Sequence, residues 1–248
     1  MKRLKSTIAY DGTNFEGYQI QPNGRTVQGE LQSALNQLHK GSKVKVYASG
    51  RTDAGVHAAG QVIHFDTNLH IPPEKWPYAM HTKLPADIRI LSVEEVPSSF
   101  HARFSVVQKE YRYKVWIGER QDVFQRHYTY FYPFKLNIAS MEVAKQYLIG
   151  THDFTSFCSS KTEIEDKVRT IYELDIYEEE NVLVFRVVGN GFLYNMVRII
   201  VGTLLDVGRG KINANNLTTI LKEGNREQAG KTAPAHGLYL WNVVYNDN

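Results

Sequence analysis

The stretch "GFLYNMVRIIVGTLLDVG", residues 191–208, constrains the fold more than any other part of this chain. Met196, Val197, Ile199, Ile200, Val201, Leu204 and Leu205 surround a 3.6-residue period on nearly every side, so a helix over 194–207 is expected to be buried. It is too short to cross a bilayer, and it carries Arg198 in its middle. A guanidinium keeps its charge and is almost never buried without a partner, since an unpaired buried cation costs several kcal/mol. A carboxylate is therefore expected to face Arg198. Asp206 lies eight residues on, about 12 Å along the helix axis, too far for a direct pair. Asp53 is the acid matched to Arg198, either as a structural ion pair or as part of a site.

Asp53 lies in "ASGRTDAGVHAAGQVIHF", which reads as two strands broken by a turn. Arg51, Asp53 and His57 crowd that turn, the first two between Gly50 and Gly55. An ordinary Asp-Gly turn explains Asp53 and Gly55 but not the arginine in an apolar helix. The glycines would let another backbone approach and hold an acid at a sheet edge.

Around these two segments the periodicity alternates between strands and helices. A strand at 4–10 precedes an amphipathic helix with Val27, Leu31, Ala34, Leu35 and Leu38 on one face and Gly41 as its stop. Strands at 44–49 and 61–67 flank the turn, and a helix over 74–83, interrupted by Pro77, leads to a strand at 88–96. That order is βαββαβ. After a linker at 97–100 come strands at 106–118 and 128–134, a helix over 138–149, and strands at 168–178 and 182–189. The apolar helix, another over 214–223 and a last strand at 238–245 complete the chain. The pattern predicts an α+β fold of two halves, each a sheet with helices on one face. The open faces of the two sheets could then form one surface long enough for a nucleic acid stem.

Composition narrows the class. The chain is 42% hydrophobic and 22% charged, the profile of a soluble globular protein. The lone Cys158 rules out an intrachain disulfide framework and a multi-cysteine zinc site, which makes the cytoplasm the default compartment. The basic start "MKRLKSTIAYDG" lacks the apolar region of a secretory signal. Net charge is only +3, but residues 1–60 carry eight Lys/Arg against four Asp/Glu, and 161–180 carry three against eight. Such segregation suits a polyanion partner, although solvated surface produces it too.

Several motifs carry nothing. "GNREQAGKT" has five residues between its glycines and a proline where the helix of a phosphate loop should begin. "GNG" at 189–191 reads as a turn, the histidines show no metal-ligand spacing, and Cys158 reads as a small core residue. In "KEYRYKVW" the period of two puts Tyr111 and Tyr113 on one face and Arg112 and Lys114 on the other. The rings serve either as core or as a stacking platform for unpaired bases, with the cations beside them for phosphates.

Six blocks in order, "GRTDAGVHA", "FHARFSV", "KEYRYKV", "HDFTSF", "NGFLYNMVRIIVGTLLDVGRGK" and "TAPAHGLYL", resemble the tRNA pseudouridine synthase A family over practically the whole chain. The resemblance places the family's catalytic aspartate on Asp53, its paired arginine on Arg198, its base-stacking tyrosine on Tyr111, its pocket leucine on Leu238 and a tRNA-contacting arginine on Arg51. Arg103, beside those motifs, is a candidate phosphate contact. Tyr18 departs from the pattern, since many members carry tryptophan there. The implied fold is two ferredoxin-like, RRM-like halves in one extended, mostly antiparallel sheet with the active cleft between them. Residues 1–100 would carry the aspartate loop, and 101–248 the stacking tyrosine, the arginine and the leucine. The implied activity is a cofactor-independent isomerisation of uridine to pseudouridine at tRNA positions 38, 39 and 40 in the anticodon stem-loop, by a homodimer whose two subunits both contact the tRNA. Asp53 could attack the sugar, stabilise its developing charge or remove a ribose proton. His57 is either structural or RNA-contacting. The competing readings are a noncatalytic RNA-binding protein on RRM-like halves and a nucleosidase-type hydrolase using Asp53.

Overall fold

A computed structural model describes residues 1–162 and 164–246 of the chain. Two compact units divide it: Met1–Val107 with the residues from Tyr239 onward, and Gln108–Leu238.

The first unit contains β1 (Lys2–Tyr10), α1 (Val27–Leu38), β2 (Tyr47–Ala48), β3 (His57–Thr67), α2 (Trp76–His81) and β4 (Ile88–Val96). β4 and β3 flank β1, and β2 pairs with the other side of β3, all antiparallel, which is a ferredoxin-like βαββαβ layout. Alternation along β1 buries Leu4, Ile8 and Tyr10 on one side. On the other, Arg3 pairs with Asp66 at 2.8 Å and Lys5 with Glu94 at 2.9 Å. α1 starts where the Thr26 hydroxyl accepts from Gly29 N–H, and it buries Val27, Leu31, Ala34 and Leu35 as the periodicity predicts. α2 is shorter than the expected 74–83 helix, because a 3-10 turn at Pro73–Lys75 precedes it and Pro77 lies in its first turn.

The strand expected at 44–49 shrinks to two residues for a legible reason. Side-chain amides of α1 take the backbone partners a neighbouring strand would supply. Asn36 Oδ1 accepts from Val44 N–H at 2.7 Å, Gln32 Oε1 accepts from Val46 N–H at 3.2 Å, and Gln28 Nε2 donates to Val46 O at 3.0 Å. β3 in turn begins at His57 rather than 61, because Ala58 pairs with Tyr10 and His57 with Tyr239.

The second unit holds β5 (Val106–Trp116), which starts at the end of the first unit, then β6 (Tyr130–Phe131), α3 (Ile138–Gln146), β7 (Gly150–Asp153), β8 (Val168–Glu179), β9 (Val182–Gly189), α4 (Met196–Gly208) and α5 (Leu217–Glu223). β5, β9, β8 and β7 lie side by side in that order, each pair antiparallel. β7 is absent from the sequence pattern; the chain enters it through Gly150 at φ 107. α3 packs on α4, whose residues are buried around nearly the whole helix.

The last strand, β10 (Leu238–Tyr245), pairs in parallel with β3 through Tyr239–His57 and Leu240–Ala58. This pairing puts the chain's end with the first unit, whereas a division at 100/101 places it with the C-terminal half. Sequence order alone cannot show such an exchange, because ladder partners, not chain position, decide which unit a strand joins.

Candidate active site

Asp53 sits in a turn whose backbone is tied down from both sides. Its carbonyl accepts from Val56 N–H at 3.1 Å, with Gly55 between them at φ 76, the left-handed value such turns reserve for glycine. Tyr18 N–H donates to Thr52 O at 3.0 Å, Gly55 N–H to Phe15 O at 3.3 Å, and Gln61 Nε2 to Gly50 O at 2.9 Å. Thr52 Oγ1 meets the Tyr10 hydroxyl at 2.7 Å, and burial pushes that phenol up to about 12. Contact with the neighbouring loop is close enough that a Cβ on Gly12 would stand 2.1 Å from Val56 O.

That loop, residues 11–26, has its own anchor in Arg25. The guanidinium forks onto Asp87 at 2.6 and 2.9 Å, reaches Glu30 at 2.8 Å and lies 4.2 Å from the Phe15 ring centroid. His57 closes the turn. Its Nδ1 accepts from Gly12 N–H at 3.0 Å and stands 3.2 Å from Asp11 Oδ1, while its buried ring stacks on Tyr239 at 4.8 Å. This is the environment of a structural anchor. Asp53 itself is half-buried, and Arg51 and Arg103 are exposed. The effect is an acid presented at the surface on a scaffold that cannot relax.

In the second unit two candidate residues, Arg198 and Leu238, are tied to the segment 229–238. Arg198 lies in the first turn of α4 and is half-buried, not deep in the helix as the apolar pattern suggests. The helix starts late because Asn195 adopts a left-handed backbone at φ 63. Arg198 Nε donates to Ala233 O at 2.6 Å, Nη1 donates to Asn195 Oδ1 at 2.9 Å, and its own carbonyl accepts from Ala233 N–H at 3.1 Å. Asp206 is paired elsewhere, with Lys211 at 3.1 Å.

The same segment touches β5. Tyr113 donates its hydroxyl to Pro234 O at 2.7 Å, and burial holds that phenol well above its ordinary range. Further along, Gly230 N–H donates to Thr203 Oγ1 at 2.9 Å, and Gly202 comes so near that a Cβ there would lie 1.7 Å from Lys231 O. Leu238, nine-tenths buried, ends this braced segment. Tyr111 is buried on the same face of β5 as Tyr113, with Phe192 edge-on at 5.1 Å. Period-2 reasoning therefore places the two rings correctly, but Arg112 bonds through Nε to Glu110 at 2.7 Å. Glu110 also meets Arg186, which reaches Asp175 at 2.8 Å and Glu173.

Asn195, Ala233, Tyr10 and Arg25 are supporting residues that sequence reading missed. Only Asn195 left a usable trace, an asparagine directly before an apolar helix. Among the described residues, no group of three or more His, Cys, Asp or Glu side chains could hold a metal ion. None of their helices is long and apolar enough to cross a membrane.

The family comparison gives this α+β chain its class, that of an RNA-modifying enzyme. A family model described as tRNA pseudouridine synthase matches residues 7–105 and 144–246. The tRNA pseudouridine synthase A of Anoxybacillus flavithermus is 65% identical over 247 residues, covering 100% of both chains. That of Bacillus subtilis is 59% identical over 99% of this chain and 100% of its own, and that of Geobacillus kaustophilus 57% identical over 99% and 95%. This chain belongs to the tRNA pseudouridine synthase A family. Pseudouridine synthases are isomerases, converting uridine to pseudouridine.

Proposed function

We propose that this protein isomerises uridine to pseudouridine at positions 38, 39 and 40 of the tRNA anticodon stem-loop, in the cytoplasm, as a homodimer whose tRNA contacts both subunits. Asp53 is the catalytic carboxylate and Arg198 the cation that pairs with it. The observation that carries this reading is the Asp53 turn, half-buried yet held through the backbones of Gly50, Thr52, Asp53 and Gly55. A surface acid needs no such bracing for solubility; one that must meet a sugar at fixed distance does.

The reaction breaks the bond between ribose C1′ and uracil N1, turns the ring, and joins C1′ to C5. C5 loses its proton and N1 gains one, so nothing is hydrolysed or oxidised. Asp53 either bonds to C1′, stabilises its positive charge or takes a ribose proton, and each role needs the carboxylate ionised. Arg198 favours that form and offers a planar fork, aimed by its bonds to Ala233 O and Asn195 Oδ1. Tyr111 covers the detached uracil, Leu238 supplies apolar wall, and Arg51 and Arg103 hold phosphates. Those contacts offset the cost, about a few kcal/mol, of extruding a stacked nucleotide.

Tritium release from tRNA labelled at uridine C5 tests the assignment. The wild type should release tritium into water with no change in tRNA mass. Asp53→Asn should lose turnover by about 10³-fold or more while binding tRNA within about tenfold. Binding without release by the wild type would make the protein a noncatalytic RNA-binding module. Free uracil and an abasic site would make it a hydrolase.

A further inference from the structure

One margin of the first unit carries exposed rings and cations, with no acid in the row 43–47 or at Arg103 and Phe104 among the described residues. Burial alternates along residues 43–47, with Val44 and Val46 inward and Lys43, Lys45 and Tyr47 outward. The α1 amides that hold their backbone fix the row in place. Tyr47, 44% exposed, stacks on buried His64 at 4.9 Å and 14°, and His101 stands 5.5 Å from it. Phe104 packs on His101 at 4.4 Å with 76% of its surface exposed, and the exposed Arg103 guanidinium lies 5.8 Å from its ring centroid. Ala102 N–H donates to His64 Nδ1 at 3.1 Å, so the loop bearing Arg103 and Phe104 is tied to the ring that supports Tyr47.

Charge decides what such a surface fits. Residues 31–52 and 96–107 contain no Asp or Glu but contribute Lys40, Lys43, Lys45, Arg51 and Arg103. Asp66, adjoining His64, is engaged by Arg3 through both oxygens at 2.8 and 2.9 Å. Burial, with the His101 and Arg3 charges, brings the His64 imidazole down to about 4, and His101 is also lowered. At neutral pH the supporting rings are therefore uncharged, and the lysines and arginines supply all the attraction for a polyanion.

We propose that Lys43, Lys45, Tyr47, Arg103 and Phe104 form an RNA-docking surface apart from the catalytic turn, on which unpaired bases of the tRNA stack against Tyr47 and Phe104 while the cations hold phosphates. The inference rests on the tRNA reading above. Flat faces for bases beside point charges for phosphates are the usual equipment for unpaired RNA. Tyr47 and Asp53 are six residues apart, at most about 20 Å of extended chain, so one RNA can occupy both places.

Equilibrium binding of unmodified tRNA transcript to the full chain, at two salt concentrations and beside tritium release, tests it. Phe104→Leu should weaken binding about five- to hundredfold, and Phe104→Trp should bind like the wild type, because stacking needs a ring and not merely an apolar side chain. Lys45→Ala should lower the slope of log affinity against log salt by about one phosphate's share. An exposed ring at position 104 makes misfolding an unsuitable explanation for a loss, and the thermal midpoint checks that. If the wild type binds tRNA and releases tritium while Phe104→Leu binds equally tightly, the docking surface is refuted and the enzyme assignment stands. If the wild type does neither, the tRNA reading itself fails. A Phe104→Leu chain that changes mass in sedimentation instead assigns the surface to contact between copies and overturns the proposal.

Discussion

The Asp53 turn and the α4 N-terminus solve the same problem by opposite means. The turn has no regular structure of its own, so neighbouring backbone and the Gln61 amide hold it at Gly50, Thr52 and Gly55, with Gly12 allowing the close approach. Arg198 stands on a helix buried on nearly every side, and only the direction of its guanidinium needs setting, which Asn195 and Ala233 do. The acid depends on what surrounds it and the cation on what it grows from. Damage to either should look different.

Short of replacing Asp53 itself, the largest effect on turnover is expected from Gly12→Ala. A Cβ 2.1 Å from Val56 O must push the turn away, and displacement by about 1 Å costs about 10²-fold in turnover. Single-turnover tritium release should show that loss with tRNA binding retained, and normal turnover would break the idea that backbone contact positions Asp53. Arg198→Lys should cost about tenfold, since an ammonium cannot reproduce a fork that bonds Ala233 O and Asn195 Oδ1 together. An unimpaired rate would separate Arg198 from the acid.

Acid should distinguish the two units. His64, in the first, is held down at about 4, whereas an unfolded histidine protonates near pH 6.5. Its contribution is complete above pH 6.5 and is lost as pH falls toward 4, because the unfolded chain binds a proton that the folded chain refuses. His64→Asn, whose amide oxygen can accept from Ala102 N–H, should lose less thermal stability between pH 7 and 4.5 than the wild type. Equal losses would clear His64 of any part in acid sensitivity. The smallest effect is expected from Tyr18→Phe. Among the described residues the buried Tyr18 hydroxyl has no hydrogen-bond partner, while its backbone N–H does the clamping of Thr52. Removing the oxygen should raise stability by about 1 kcal/mol in urea unfolding and leave turnover unchanged; a slower enzyme would show that the side chain matters to the turn.

Much of the fold was legible because each strand and helix has a local period. Strands at 88–96 and 238–245 follow from their runs of strand-forming residues, and the buried face of α1 from the 3.6-residue period. β7 was hidden because four residues, "GTHD", are too few to show a period. The shortened β2 was hidden because amides on α1 replaced a ladder, a long-range substitution that strand patterns do not register. Asp53 stood out as an acid in a glycine-bounded turn, but its bracing by Tyr18, Phe15 and Gln61 came from residues with no distinctive spacing.

Sequence by itself determined that this chain is α+β, which faces of its elements are apolar, and which family it joins, since these depend on residue type and near-neighbour spacing. Only the tertiary structure decided that β10 belongs with β3, that Arg198 sits at a helix end braced by Ala233, and that Asp53 is clamped through its neighbours' backbones. Those outcomes depend on partners as far as nearly two hundred residues away, and a backbone group that accepts or donates a hydrogen bond there leaves no mark on side-chain identity.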